Sequence, residues 1–143
     1  YGSKNIYQLK NIFKISMTFV IASSVLICCL SIPAAPYIIE FFAKENSHVF
    51  YIALKGFFIF AVSFLFTGIN IFSAAMFTAF SNGKVASIIM FLRTLVFLSL
   101  SILLLPLVFN INGIWLAIPV TEFLSVLVVI FYFIKYRKIY NYL

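Results

Sequence analysis

The stretch GIWLAIPVTEFLSVLVVIFYFI, from Gly113 to Ile134, decides the architecture of this chain. It holds one charged residue, Glu122, in a run long enough to cross a bilayer as a helix. About 20 apolar residues, rising ~1.5 Å each, span the ~30 Å hydrocarbon core. Three more runs read the same way. Ile15–Ile39 is free of charge and contains Pro33 and Pro36. Gly56–Gly83 is also free of charge, and Val85–Phe109 has only Arg93. The sequence therefore predicts an all-α polytopic membrane protein with four transmembrane helices, at about 14–32, 56–79, 85–109 and 113–134. Membrane strands alternate polar and apolar residues over about ten positions, and these runs do not alternate.

Composition agrees. The 143 residues are 65% hydrophobic and 9% charged, against about 25% charged in soluble domains. A water-soluble chain of this length has too little interior for so much apolar surface. Lipid solvates the excess, so membrane lipid is the first partner implied. The first run is not a signal peptide: it exceeds the usual apolar length of one, and three further spans follow. Cys28 and Cys29 are adjacent, and neighbours on a helix point about 100° apart. They read as small packing residues, and no metal site is expected.

The distribution of the +7 net charge orients the chain. Lys4, Lys10 and Lys14 precede the first span, Lys84 lies between the second and third, and Lys135, Arg137 and Lys138 follow the fourth. All fall on one side. The other side holds Lys44 and Lys55 with Glu40, Glu45 and His48. The positive-inside rule then puts both ends in the cytoplasm of a multi-pass cell-membrane protein. These bases flank apolar spans, so nucleic acid is not the expected partner. The opening, Tyr1-Gly2-Ser3-Lys4-Asn5, lacks Met and reads as the start of a fragment, within a cytoplasmic loop of a longer protein.

Local signals set the connections. Pro33 and Pro36 are expected to end the first span, because proline has no amide to donate. Tyr37–Lys44 then reads as a segment along the outer interface. Ser81-Asn82-Gly83-Lys84 reads as a tight inner turn in which Asn and Gly take positive φ. Asn110-Ile111-Asn112-Gly113 reads as the matching outer turn. Such short turns make spans two, three and four antiparallel neighbours.

Ionisable groups within a membrane are costly and mark candidate sites. Arg93 lies about 12 Å from the inner edge and Glu122 about 13.5 Å from the outer edge, counting 1.5 Å per residue. Their heights differ by about 4–5 Å across ~30 Å, so a direct or water-bridged pair is feasible. Such a pair is a structural staple, or Glu122 is a cavity carboxylate that takes up a proton or holds a cation; the third reading is a plain snorkelling residue, which this depth disfavours. Span two carries Thr67, Gly68, Asn70 and Ser73. Asn70 needs a partner at this depth, either as helix–helix glue or as part of a polar patch lining a cavity. Pro106 and Pro119 can kink spans three and four. The nineteen phenylalanines are mostly lipid-facing. There is no Asp, the one His is in an outer loop, and no catalytic or phosphate-binding pattern is present. An enzyme is not expected.

Several segments resemble multidrug and toxic compound extrusion (MATE) transporters. Tyr1-Gly2-Ser3-Lys4-Asn5 is similar to the Asn-Tyr-Gly-Ala-Lys loop after that family's eighth helix. Thr67-Gly68-Ile69-Asn70, Phe77-Thr78-Ala79-Phe80 and Gly83-Lys84 resemble its tenth helix and cytoplasmic end. Phe91-Leu92-Arg93-Thr94 is similar to the Leu-Leu-Arg-Gln segment of its eleventh. Asn112-Gly113-Ile114-Trp115-Leu116-Ala117-Ile118-Pro119-Val120-Thr121-Glu122 resembles the start of its twelfth, where an acidic residue commonly follows the proline. The chain departs at Thr78, where many members carry Gln, and at Ser81-Asn82, which lengthens the turn.

The resemblance implies that residues 1–143 form helices nine to twelve of a twelve-helix fold, the later part of the C-terminal bundle. It implies a secondary exporter of organic, often cationic, compounds in antiport with H⁺ or Na⁺, with no other cofactor. Glu122, Arg93, Asn70 and Thr67 would be its substrate or ion cavity candidates. The N-terminal remainder of the transporter and a small organic substrate would be partners, and the fragment is not expected to transport alone. The alternatives are a lipid-linked oligosaccharide flippase of the same superfamily and a non-transporting membrane scaffold. A flippase cavity would want several Arg and Lys for pyrophosphate, and this chain offers one deep Arg.

Overall fold

In hydrocarbon a backbone amide has no water to bond, so apolar runs close their hydrogen bonds internally as helices. The computed structural model describes residues 6–43 and 47–142, and these are helical apart from short turns. The elements are α1 (Ile6–Glu40), α2 (His48–Ala61), α3 (Phe64–Ala79), α4 (Gly83–Phe91), α5 (Leu98–Phe109) and α6 (Ile111–Tyr140). A π-helical turn, Leu92–Phe97, makes α4 and α5 continuous. Helix α1, the unit Gly83–Phe109 and α6 are each long and apolar enough to cross a membrane. Helices α2 and α3 pass the same test together, bent by 47° at their junction, so they read as one broken span. The opening Tyr1–Asn5, with its Lys4, and the residues Lys44 and Glu45 lie outside the described residues.

Three expectations need correction. Helix α1 does not stop at Pro33 or Pro36 but runs through both to Glu40. Each ring removes only one amide, while fraying the end would strand several in lipid. The stretch after Pro36 is therefore the last turn of α1, with Tyr37 exposed, followed by a turn at the exposed Phe41 and Phe42. In the inner turn it is Ser81, not Asn82 or Gly83, that takes positive φ (58°). Asn82 is instead the cap of α4: its side chain accepts from the Val85 amide at 3.3 Å, satisfying an orphan donor of the first turn. The outer turn contracts to one residue, Asn110 (φ 52°), between α5 and α6.

The α2–α3 bend has a local cause. Around Ser63 the ladder tightens to three-residue steps, Ser63 N–H to Phe60 O at 2.9 Å and Phe66 N–H to Ser63 O at 3.0 Å. The Thr67 hydroxyl also donates to Ser63 O at 2.9 Å, and a hydroxyl bonded back to the carbonyl four residues earlier bends helices.

Helix α3 is the hub, touching α1, α4 and α6, while α2 leans on α1 and α6. Without a hydrophobic drive between helices in lipid, close approach depends on small residues. Gly56 lies under the Trp115 ring, Gly68 against Ser24 and Val20, and Gly113 against the backbone of Leu105. The main apolar cluster gathers Phe77, Phe80, Val85, Ile89, Val129 and Phe133 at the Lys84 end of the bundle. The chain then folds back onto it. Tyr142 is 1% exposed and donates its hydroxyl to Phe133 O at 2.8 Å. Asn82 Nδ2 donates to the Tyr140 hydroxyl at 3.0 Å, and the Tyr140 and Phe80 rings stack at 4.6 Å. Outside, Leu103, Leu107 and Val108 stand exposed, as lipid-facing residues should.

A Cβ added at Gly113 would sit 2.3 Å from the Leu105 carbonyl oxygen, so backbone must move. Gly113→Ala should cost about 1–3 kcal/mol, the usual range for overpacking, measured by unfolding in mixed micelles. Tyr142 tests the folded-back end. Burial first, and then the neighbouring Tyr140, pushes its phenol up from 10.0 to about 12. A raised pKa means that the folded state favours the neutral phenol. Its contribution is thus complete below the unfolded value and disappears as pH climbs through the folded one. Absorbance at 295 nm should show a late tyrosine step that Tyr142→Phe removes; identical titrations would dismiss the buried phenol.

Candidate functional site

Three helices each send one polar side chain to the same buried point: Asn70 from α3, Arg93 from the π-turn and Glu122 from α6. Arg93 donates through Nε at 3.0 Å and Nη2 at 2.5 Å, both to Glu122 Oε1. Asn70 Nδ2 donates to Glu122 Oε2 at 2.6 Å and to the Glu122 backbone carbonyl at 3.0 Å. Each carboxylate oxygen therefore has its own donor. The Arg93 and Glu122 side chains are 15% and 7% exposed, and Asn70 is fully buried. The amide orientation is dictated by chemistry, since the reverse would aim Asn70 Oδ1 at two acceptors. Oδ1 is left without a hydrogen-bond partner.

The π-turn explains how the half of this span beyond Arg93 also faces α6. Leu98 N–H bonds to Arg93 O, five residues back, so one extra residue is absorbed in the ladder. In an unbroken α-helix Ile89 and Ser101 would be rotated about 120° apart, at ~100° per residue. Absorbing one residue reduces this to about 20°. Both are in fact buried, and Ser101 accepts from the Thr121 hydroxyl of α6 at 3.3 Å. Without the insertion, one half of this span would turn its polar residues to lipid.

Of the four candidate residues, Asn70, Arg93 and Glu122 come together and Thr67 does not. Thr67 bonds its own helix at Ser63 and lines a groove with Ser24 and Gly68 between α1 and α3. Counting residues along two helices brought Arg93 and Glu122 near one height. It did not identify Asn70 as the second partner of Glu122, because that depends on the rotation of α3. Nor did it find the π-turn; the shift in spacing from Ile89 to Ser101 was the available signal. Among the described residues no group of three or more His, Cys, Asp or Glu side chains could hold a metal ion.

The MatE family model matches residues 1–103. No curated protein and no solved structure matches the chain.

Removing one partner of a buried ion pair leaves a charge uncompensated, at about 3–5 kcal/mol. Arg93→Gln should lose that much stability. Asn70→Leu should lose less, about 1–3 kcal/mol, because Glu122 keeps its Arg93 bonds. A double-mutant cycle between Arg93→Gln and Glu122→Gln should give a coupling of at least ~0.5 kcal/mol. Simple additivity of the two losses would mean that the ion pair does not form.

Proposed function

The chain belongs to the MatE family, and on that footing we propose that it is part of the C-terminal bundle of a secondary exporter. This multi-pass membrane protein, from a family of transporters, expels organic and often cationic compounds in antiport with H⁺ or Na⁺. The remaining bundle comes from the N-terminal remainder of the transporter, and the substrate cavity lies between the two. The clustering of Lys10, Lys14, Lys84, Lys135, Arg137 and Lys138 supports an orientation with both ends of this segment in the cytoplasm.

The observation that carries the reading is Glu122, a deeply placed carboxylate held by Arg93 and Asn70 beside an amide oxygen with no donor. A proton on Glu122 cancels its charge, and the guanidinium loses its counter-ion. The ion pair then weakens to a neutral hydrogen bond, which frees Arg93 and the π-turn that carries it to shift against α6. Na⁺ would draw instead on Glu122 Oε2 and the free Asn70 Oδ1. In both cases the ion moves the equilibrium only by its differential affinity for the two openings. A cationic substrate that favours the other opening is thereby coupled to it. Arg93 is already neutralised by Glu122, which leaves little positive charge for a pyrophosphate and favours export over a flippase.

The staple reading has its own support, since both Glu122 oxygens are occupied by protein donors. The two readings part in one experiment. In cells expressing the transporter, Glu122→Gln should lower ion-coupled efflux about 5- to 150-fold, the span of a typical coupling free energy. The paired variant Arg93→Gln with Glu122→Gln removes both charges together, and its folding is checked by unfolding in mixed micelles before efflux is compared. Continued loss of coupling in that variant supports the coupling role. Recovery of efflux, or undiminished efflux in Glu122→Gln at normal expression, leaves Glu122 as a staple.

A further inference from the structure

The chain has ten basic and three acidic residues, and among the described residues Lys10 and Lys14 of α1 have no acidic side chain beside them. Glu122 is committed to Arg93. Glu40 ends the helix on which Lys10 and Lys14 begin, about 40–45 Å away at 1.5 Å per residue. Lys135 has partial compensation, its ammonium resting 5.8 Å over the Phe131 and Tyr136 rings. Lys10 and Lys14 stand exposed, one helical turn apart, on the rim of a groove of about 370 Å³.

The rest of that groove is apolar. Phe13, Met17 and Ile21 recur at four-residue spacing along α1 and form its wall, and the folded-back Tyr142 closes its end. The charge-free run of α1 begins at Ile15. The lysines therefore lie at the membrane boundary, while Met17 and Ile21 lie at the depth of acyl chains. From Lys10 to Ile21 the groove extends about 16 Å at the same helical rise, roughly the hydrocarbon thickness of one leaflet.

We propose that this groove binds one anionic phospholipid, its phosphodiester bridging Lys10 and Lys14 and one acyl chain lying along Phe13, Met17 and Ile21. Charge complementarity selects the head and the apolar wall selects a lipid over a free phosphate. A polybasic segment at a membrane surface attracts such lipids, but here the site is shaped as well as charged. The lipid seats α1 against the folded-back C-terminus, because the groove it fills is walled by both. The inference is independent of the coupling role of Glu122.

The test uses the full chain, purified from vesicles of phosphatidylglycerol and phosphatidylcholine in equal amounts, with retained lipid identified by native mass spectrometry. The wild-type chain should keep one phosphatidylglycerol. The paired variant Lys10→Gln with Lys14→Gln should lower the ratio of anionic to zwitterionic lipid about 30-fold, from two ammonium–headgroup attractions. The paired variant Lys135→Gln with Lys138→Gln should leave the ratio unchanged. An unchanged ratio in the first variant, or an equal fall in the second, overturns the site. So does displacement of the lipid by soluble glycerol 3-phosphate, which would make the groove a phosphate site without an acyl chain.

Discussion

A carboxylate inside hydrocarbon has to be paired, and the packing of this bundle is organised around pairing Glu122. A lone charge at such depth costs several kcal/mol. Meeting that constraint takes groups from three helices. Arg93 takes one oxygen, Asn70 takes the other, and the same Asn70 amide reaches the Glu122 carbonyl. The network therefore sets the rotation of α3, the phase of the Gly83–Phe109 span and the depth of α6 together. Apolar contacts alone would not do this, because lipid tails compete with them on equal terms.

The irregular backbone follows from the same requirement. The π-turn lies at Arg93 and re-phases the span so that Ser101 also meets α6. The α2–α3 bend at Ser63 lets α2 approach Trp115 through Gly56 while α3 stays between α1 and α6. Neither feature is a flaw in a regular helix. A π-turn keeps its carbonyls bonded five residues on, and the bend keeps them bonded three residues on, so both interrupt the regular ladder without giving up its hydrogen bonds.

The two ends of the bundle differ in kind. At the Lys84 end, aromatic rings from α1, α3, α6 and the final residues form one packed cluster closed by Tyr142. At the other end, α2 meets α1 through the small cluster of Ala35, Ile39 and Phe50.

The sequence by itself determined that the chain is helical and crosses a membrane, because charge-free runs of this length have no other stable form in lipid. It also placed Arg93 and Glu122 near one height, since helical rise is fixed by geometry. It misjudged Pro33 and Pro36, where the environment overrode a local breaker, and the inner turn, where Asn82 was needed as a cap and Ser81 took the strained φ. Only the tertiary structure decided that Asn70 is the third member of the network and Thr67 is not. Both lie on α3, three residues apart, and which of them faces α6 depends on helix rotation. That rotation is set by contacts between segments distant in sequence, and periodicity along one nearly uniform apolar helix carries no record of it.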